Sequence, residues 1–369
     1  MNVVLVTGGS GGHLVPAMTL AQNLIRQGTC TIVSCSRPAD QVLRANFSGR
    51  WEVCDVEQFT PWTRWFSIRY LCRQWRGFRK IRSLFREIRP DVVVGFGGYV
   101  SAFGIAAARL SGIRTVIHEQ NFLPGKANRW LAPWVDAVAV SFSETQNYLG
   151  TKAFVRVTGN PVRQSMTGQM GRQEARAALH LDPDRPVLLV MGGSQGSVAL
   201  NRLATAMWAS SDPVSRAQFQ VIHLTGSGPE QEKVQAAYRV WGVRTHVEAF
   251  SNRMPELLAA ATLTICRAGA TTIAEITRAG LPAILVPYPH AGGHQRANAR
   301  WVEQRGGGQV VEEAGLTGER LWQMTESLLK DSGRLNTMRS ALGRVGEEVP
   351  ETALADLVRW VTADEKEKI

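Results

Sequence analysis

His13 closes the run Gly8-Gly9-Ser10-Gly11-Gly12-His13, directly after the apolar stretch Val3–Val6. A second glycine turn, Gly192-Gly193-Ser194-Gln195-Gly196, follows Val187–Val190, and Ser197 stands where the first copy has His13. A strand, a glycine turn and a helix in succession leave backbone N–H groups free at the helix N-terminus, where the dipole favours an anion. Two such units point to a phosphate-bearing ligand. Beside such an N-terminus the imidazole is disfavoured as a cation and can accept a proton, which is general-base chemistry. Two plainer readings stand beside these: glycine turns also serve as tight connections, and a histidine there also caps or packs.

Three further clusters carry chemistry. His118-Glu119-Gln120-Asn121 follows a buried strand, where an open parallel sheet binds ligands; alternatively, Glu119 and Asn121 cap the next helix. Arg267-Ala268-Gly269-Ala270-Thr271-Thr272 lets a phosphate approach a helix start, with Glu275 one turn on and within reach of sugar hydroxyls. Tight helix–sheet packing explains Gly269 and Ala270 but not Glu275. His294, Gln295 and Asn298 begin a helix after Gly292-Gly293. His290 and His294 come without a carboxylate, so no metal is expected. Asp182-Pro183-Asp184 precedes a strand, on the wrong side of the sheet for ligand, and reads as a turn. The dinucleotide fingerprint fails, because Leu14 stands where its third glycine belongs and Ser34-Cys35-Ser36 supplies no acid for a ribose.

These residues need strands and helices in alternation. In the first half, strands are expected at Val3–Val6, Thr31–Ser34, Asp91–Val94, Thr115–Ile117 and Ala137–Val140, with helices at Leu14–Arg26 and Ser101–Leu110. The second half restarts after Gly159-Asn160-Pro161, with strands at Val187–Val190, Gln220–Leu224, Thr245–Ala249, Leu263–Ile265 and Ala283–Val286. A last helix is expected over Glu351–Trp360, then a frayed charged tail over Asp364–Lys368. Alternation of this kind gives parallel sheets with helices on both faces. At 369 residues, two such domains are expected.

Net charge is +11 and is unevenly spread. From Trp62 to Pro90 there are nine Lys/Arg, one acid and seven aromatics. That mixture suits anionic lipid or nucleic acid, though no nucleic-acid module accompanies it. Leu71, Trp75, Phe78, Ile81, Phe85 and Ile88 recur at helical spacing. Ile81 to Ile88 are expected to pack on the sheet. Trp62, Trp65, Phe66, Arg69 and Trp75 are expected to meet lipid, with Gly77 separating the two segments. Five irregularly spaced cysteines read as reduced thiols of a cytosolic protein, and the first residues lack the basic start of a signal peptide.

In order along the chain, Gly8–His13, Gly95-Phe96-Gly97-Gly98-Tyr99-Val100-Ser101, His118–Asn121, Gly159-Asn160-Pro161-Val162-Arg163, Gly192–Gly196, Arg267–Glu275 and His294-Gln295 resemble the MurG family of UDP-N-acetylglucosamine:lipid I N-acetylglucosaminyltransferases. The resemblance implies the GT-B fold: α/β, with two Rossmann-like domains whose parallel sheets face a central cleft. It implies an acceptor and membrane-side domain over 1–160, a UDP-GlcNAc-binding domain over 161–345, and a helix over 346–369 crossing back to the first. The activity implied is inverting transfer, independent of metal or cofactor, to the 4-OH of lipid-linked MurNAc.

The resemblance also implies residue roles. Ser194 and the backbone of Ala270, Thr271 and Thr272 would hold the diphosphate, and Glu275 the ribose. The backbone near Phe250 and Ser251 would read uracil. Asn121, His294 and Gln295 would contact GlcNAc, and Arg163 the nucleotide. Ser10, Gly11 and Gly12 would approach the diphosphate from the acceptor side. His13 is the first candidate base and Glu119 the second. Ala291-Gly292-Gly293 is more glycine-rich than the family pattern, which weakens the case for His294. The implied partners are UDP-GlcNAc, lipid I and the anionic inner-membrane surface, with cell-wall or division proteins beyond them and no nucleic acid. The implied place is the cytoplasmic face of the bacterial inner membrane, as a peripheral protein. A GT-B enzyme acting on diacylglycerol and a non-catalytic nucleotide-sugar sensor are the alternatives.

Overall fold

In a computed structural model, residues 1–9, 11–25, 28–35, 44, 47–54, 56, 68–162, 170–226, 228–349 and 352–363 are described. The chain divides into two units, Met1–Arg163 with Val349–Ile369, and Gln164–Glu348.

The first unit is a seven-stranded sheet, with strands β1 (Asn2–Val6), β2 (Thr29–Ser34), β3 (Arg50–Val53), β4 (Val92–Gly95), β5 (Arg114–Glu119), β6 (Ala137–Val140) and β7 (Phe154–Val157) in the order β3-β2-β1-β4-β5-β6-β7. Every pairing is parallel, as in Val4 opposite Thr31 and Val93. Its helices are α1 (Gly11–Leu24), α2 (Ile68–Ile88), α3 (Gly98–Arg109), α4 (Lys126–Leu131) and, from the chain's end, α14 (Ala353–Thr362). Alternate residues of β1 feed opposite cores. Val3 and Leu5 pack with Leu14, Leu20 and Leu24 of α1 and with Leu354, Leu357 and Val361 of α14. Val4 and Val6 pack with Ile81 and Phe85 of α2, Ile105 of α3 and Leu131 of α4. A strand covered on both faces reads as an unbroken apolar run, which is why β1 and β4 were evident from sequence.

The second unit repeats the plan with six strands: β8 (Val187–Met191), β9 (Gln220–Leu224), β10 (Arg244–Glu248), β11 (Leu263–Cys266), β12 (Ala283–Leu285) and β13 (Gly308–Val310), ordered β10-β9-β8-β11-β12-β13 and all parallel. Between and after them run α5 (Arg172–Ala178), α6 (Val198–Ala206), α7 (Pro213–Ala217), α8 (Glu230–Val240), α9 (Met254–Ala260), α10 (Ala270–Arg278), α11 (His294–Gln304), α12 (Gly318–Lys330) and α13 (Ser332–Glu347). Leu188 and Val190 of β8 pack with Trp208, Tyr238, Leu321 and Trp322.

Three expectations need correction. α1 begins at Gly11 rather than Leu14, so His13 lies inside its first turn. α2 is one continuous helix, and Gly77 is buried within it rather than dividing it. β3, β7 and β13 were not foreseen. As edge strands they face solvent and carry Arg50, Arg156 or Gln309 in place of an apolar run. The expected tail over 364–368 lies outside the described residues.

Candidate active site

In each unit the strand order reverses at one place, between β1 and β4 and between β8 and β11. The crevice beyond strand C-termini at such a reversal is where open α/β sheets take ligands.

In the first unit this place holds His13. A Cβ added to Gly8 would lie 3.0 Å from its Nδ1, and one added to Gly97 would lie 3.3 Å from its Nε2. The ring therefore occupies a slot that only glycines leave open. Gly97 has φ +89° and Gly98 φ +80°, values that also exclude most side chains, and Gly8 N–H donates to Gly97 O at 3.2 Å. Gly11 and Gly12 form the first turn of α1 beside His13, half-buried.

Glu119, at the end of β5, is buried and accepts four hydrogen bonds. Oε1 takes Asn121 N–H (2.9 Å) and Asn121 Nδ2 (3.2 Å); Oε2 takes Gly125 N–H (2.9 Å) and Asn128 Nδ2 (2.8 Å). The carboxylate thus ties the 121–125 loop to the start of α4. His118 and Gln120 were expected to line a ligand cleft, but both turn into the core, 0% and 1% exposed. His118 Nε2 donates to Gly159 O at 2.9 Å, which makes Nδ1 the acceptor for Gln120 Nε2 at 3.0 Å. Burial, with a smaller contribution from nearby His13, pushes the His118 pKa down to about 4 against the pull of the Gly159 carbonyl.

In the second unit the turn after β8 is tight, with Gly193 at φ +90°, Gly196 at φ +73°, and Gly196 N–H donating to Gly193 O at 2.9 Å. Ser194 sits at its exposed tip. A Cβ on Gly196 would fall 2.3 Å from Thr225 O, because the turn packs on Gly226 after β9. Ser197 caps α6, accepting Leu200 N–H at 3.3 Å. Arg267, 4% exposed at the end of β11, donates to Ser197 Oγ at 2.7 Å and Val286 O at 3.1 Å, and pairs with Glu313. The Tyr288 ring lies 5.5 Å from its guanidinium carbon.

α10 is preceded by Gly269 and α11 by Gly293, neither with a side-chain cap; the first-turn N–H groups at Ala270, Thr271 and Thr272 are left for a ligand, whereas His294 N–H donates to Ala291 O at 3.2 Å. Glu275 is buried on α10, near enough to Cys266 to add to the burial that pushes that thiol up to about 12. Gln295 Oε1 accepts Ala268 N–H (3.2 Å) and Tyr288 N–H (3.0 Å), joining the loops after β11 and β12. Ser251 lies buried after β10, its Oγ accepting Arg253 N–H at 3.2 Å. Asp182 Oδ1 accepts Asp184 N–H at 3.0 Å, as a turn requires.

The N-terminal domain of glycosyltransferase family 28 matches residues 3–140 and its C-terminal domain residues 187–353. A UDP-N-acetylglucosamine–N-acetylmuramyl-(pentapeptide) pyrophosphoryl-undecaprenol N-acetylglucosamine transferase of Halothermothrix orenii is 35% identical over 97% of this chain and 98% of its own. One of the same name from Syntrophotalea carbinolica is 36% identical over 94% and 95%. The crystal structure of Acinetobacter baumannii MurG superposes with TM-score 0.74 at 25% identity, covering 98% of both chains. The chain belongs to the MurG family. It has the GT-B fold and is a UDP-GlcNAc-dependent glycosyltransferase. A putative UDP-N-acetylglucosamine 2-epimerase of Listeria monocytogenes, at TM-score 0.69 and 14% identity, shares the fold alone.

Within the MurG frame, His13, Gly11, Gly12, Glu119 and Asn121 gather at the first unit's reversal point. Ser194 and Ala270–Thr272 gather at the second's, with Glu275, His294 and Gln295 on the helices beside them and Ser251 on the β10 side. Ser10, Arg163, Trp62, Trp65 and Phe66 lie outside the described residues, as does the side chain of Arg69. Sequence reasoning missed the Arg267–Glu313 pair, the Gly226 turn and Asn128. The signal for Gly226 was present in Thr225-Gly226-Ser227-Gly228 directly after a strand; Glu313 carried none, since it follows an inconspicuous edge strand.

Proposed function

We propose that this chain transfers GlcNAc from UDP-GlcNAc to the 4-OH of MurNAc in lipid I, releasing UDP and forming lipid II, as a peripheral protein on the cytoplasmic face of the membrane. The observation that carries this is the His13 slot at the reversal point of a chain whose full-length relatives bear that activity in their names. The first unit takes the acceptor and the second the donor.

His13 accepts the proton of the 4-OH as its oxygen attacks the anomeric carbon. The bond from that carbon to the β-phosphate oxygen breaks, and UDP leaves with the electron pair. The charge developing on the diphosphate falls to the α10 first-turn N–H groups and the Ser194 turn, with Ser10, Gly11 and Gly12 assigned to it from the acceptor side by the family resemblance. Glu275 binds ribose, the Phe250–Ser251 backbone uracil, and Asn121, His294 and Gln295 the sugar; Arg163 contacts the nucleotide. Glu119, with four donors already in place, acts by holding Asn121 rather than as the base. Trp75, 60% exposed on α2, is a membrane contact.

Incubation with UDP-GlcNAc and a short-chain lipid I analogue should yield the disaccharide product and stoichiometric UDP. Transfer to diacylglycerol instead would replace this reading with the other enzyme, and UDP-GlcNAc binding without turnover would make the chain a sensor.

A further inference from the structure

We infer that Trp130 and Trp134 form a second lipid anchor, so that the whole α2–α3–α4 layer rests on an anionic bilayer. This rests on the membrane reading above and extends it to residues on the other side of α3. Trp130 is 67% and Trp134 64% exposed, four positions apart on α4 and the 3-10 turn Ala132–Trp134 that continues it. Indoles are seldom left this open to water, and paired exposed aromatics mark a surface that something covers.

Charge and layout identify the cover. α2, α3 and α4 all pack on the same face of the first sheet, through Ile81, Phe85, Ile105 and Leu131. α3 touches both of the others, so it lies between them. Their outward surfaces therefore make one layer. By sequence the three helices hold ten Lys/Arg and one acid, Glu87, which Arg50 engages at 2.7 Å, and Arg109 lies 3.7 Å from Asp136. Ala102, Phe103 and Ala106 of α3 are partly buried, the first two packed against the core, and add no charge between the two aromatic ends. Trp75 and Leu71 stand at one end, Trp130 and Trp134 at the other, with Lys126 and Arg129 exposed beside them. A flat anionic surface engages both ends at once. Indole favours the headgroup level, where its ring meets acyl chains and its N–H stays hydrated, and each nearby cation adds attraction to anionic lipid.

The test is vesicle flotation of the full chain with phosphatidylglycerol-containing and pure phosphatidylcholine vesicles, comparing wild type, Trp75→Ala and the double variant Trp130→Ala/Trp134→Ala. The double variant should lose about tenfold or more in partition onto anionic vesicles. Its turnover of a water-soluble acceptor analogue and its thermal midpoint should stay at wild-type values. Wild-type partition by the double variant, with Trp75→Ala impaired, overturns the anchor and leaves the membrane reading intact. Failure of wild type to float with either vesicle overturns the membrane reading itself. Wild-type flotation with loss of concentration-dependent self-association would make the two tryptophans a protein interface and overturn the anchor.

Discussion

At the scale of single residues, the two candidate bases differ in how they are held. His13 sits in a slot between Gly8 and Gly97, whereas Glu119 has both oxygens occupied by four donors. His13→Ala should therefore lower kcat about 10²–10³-fold with little change in KM for UDP-GlcNAc, measured by UDP release. Glu119→Gln sets an NH₂ against donors that need an acceptor. It should cost about 1–3 kcal/mol of stability in urea unfolding, while the acidic limb of the pH–rate profile, which reports the base, stays where it is. A retained base in His13→Ala with a shifted profile in Glu119→Gln would reverse the assignment. Glu313→Gln leaves the Arg267 guanidinium, 5% exposed, without its counter-charge. Because Glu313 is partly open to water, the expected loss is below the cost of breaking a fully buried pair, about 1–3 kcal/mol. KM for UDP-GlcNAc should rise with it, since Arg267 also holds the Ser197 cap.

At the scale of elements, the two glycine turns differ in construction. In the first unit the helix begins within the turn, at Gly11, and His13 follows on its first turn. In the second the chain makes an additional turn over Ser194-Gln195 before the helix starts at Val198 under its Ser197 cap. This displaces the serine that matches His13 into a structural role and leaves Ser194 at the tip. The extra turn is held by its packing on Gly226. Gly196→Ala would force a Cβ to 2.3 Å from Thr225 O at φ +73°. The cost should be about 1–3 kcal/mol or more, with UDP affinity by calorimetry falling alongside it; unchanged UDP affinity would separate this turn from the diphosphate.

At the scale of the whole molecule, each unit buries a neutral histidine. His118 in the first is pushed down to about 4, and burial pushes His223 in the second down to about 3. His223 Nε2 donates to Asn201 Oδ1 (3.0 Å), and Tyr238 OH donates to its Nδ1 (2.8 Å), so protonation would break an acceptor. The folded pKa lies below the unfolded value of 6.5 in both. The unfolded chain therefore takes up the proton first as pH falls. Stability is complete above about 6.5 and declines from there towards pH 4, by about 3 kcal/mol from His118 alone. Denaturant midpoints from pH 7 to pH 4 should show this fall, and His223→Gln should flatten it for the second unit. A flat profile in the wild type would refute the shift.

What the sequence determined by itself was the alternation of elements, the doubled glycine turn and the two-domain plan. Central strands buried on both faces and glycines after them leave a local imprint, and strands such as Val92-Val93-Val94 and Val187–Val190 need no tertiary context to be read. The tertiary structure alone decided which of the polar residues turn into the core. Glu119, Gln120 and His118 adjoin in sequence, yet Glu119 braces a loop while the other two turn into the core, because the hydrogen-bond partners that settle each one come from Phe96, Asn128 and Gly159. Glu313 reaches Arg267, and α4 comes to pack on the same side of the sheet as α2, for the same reason: a parallel sheet places side by side segments that are distant along the chain, and no local spacing encodes which of them meet.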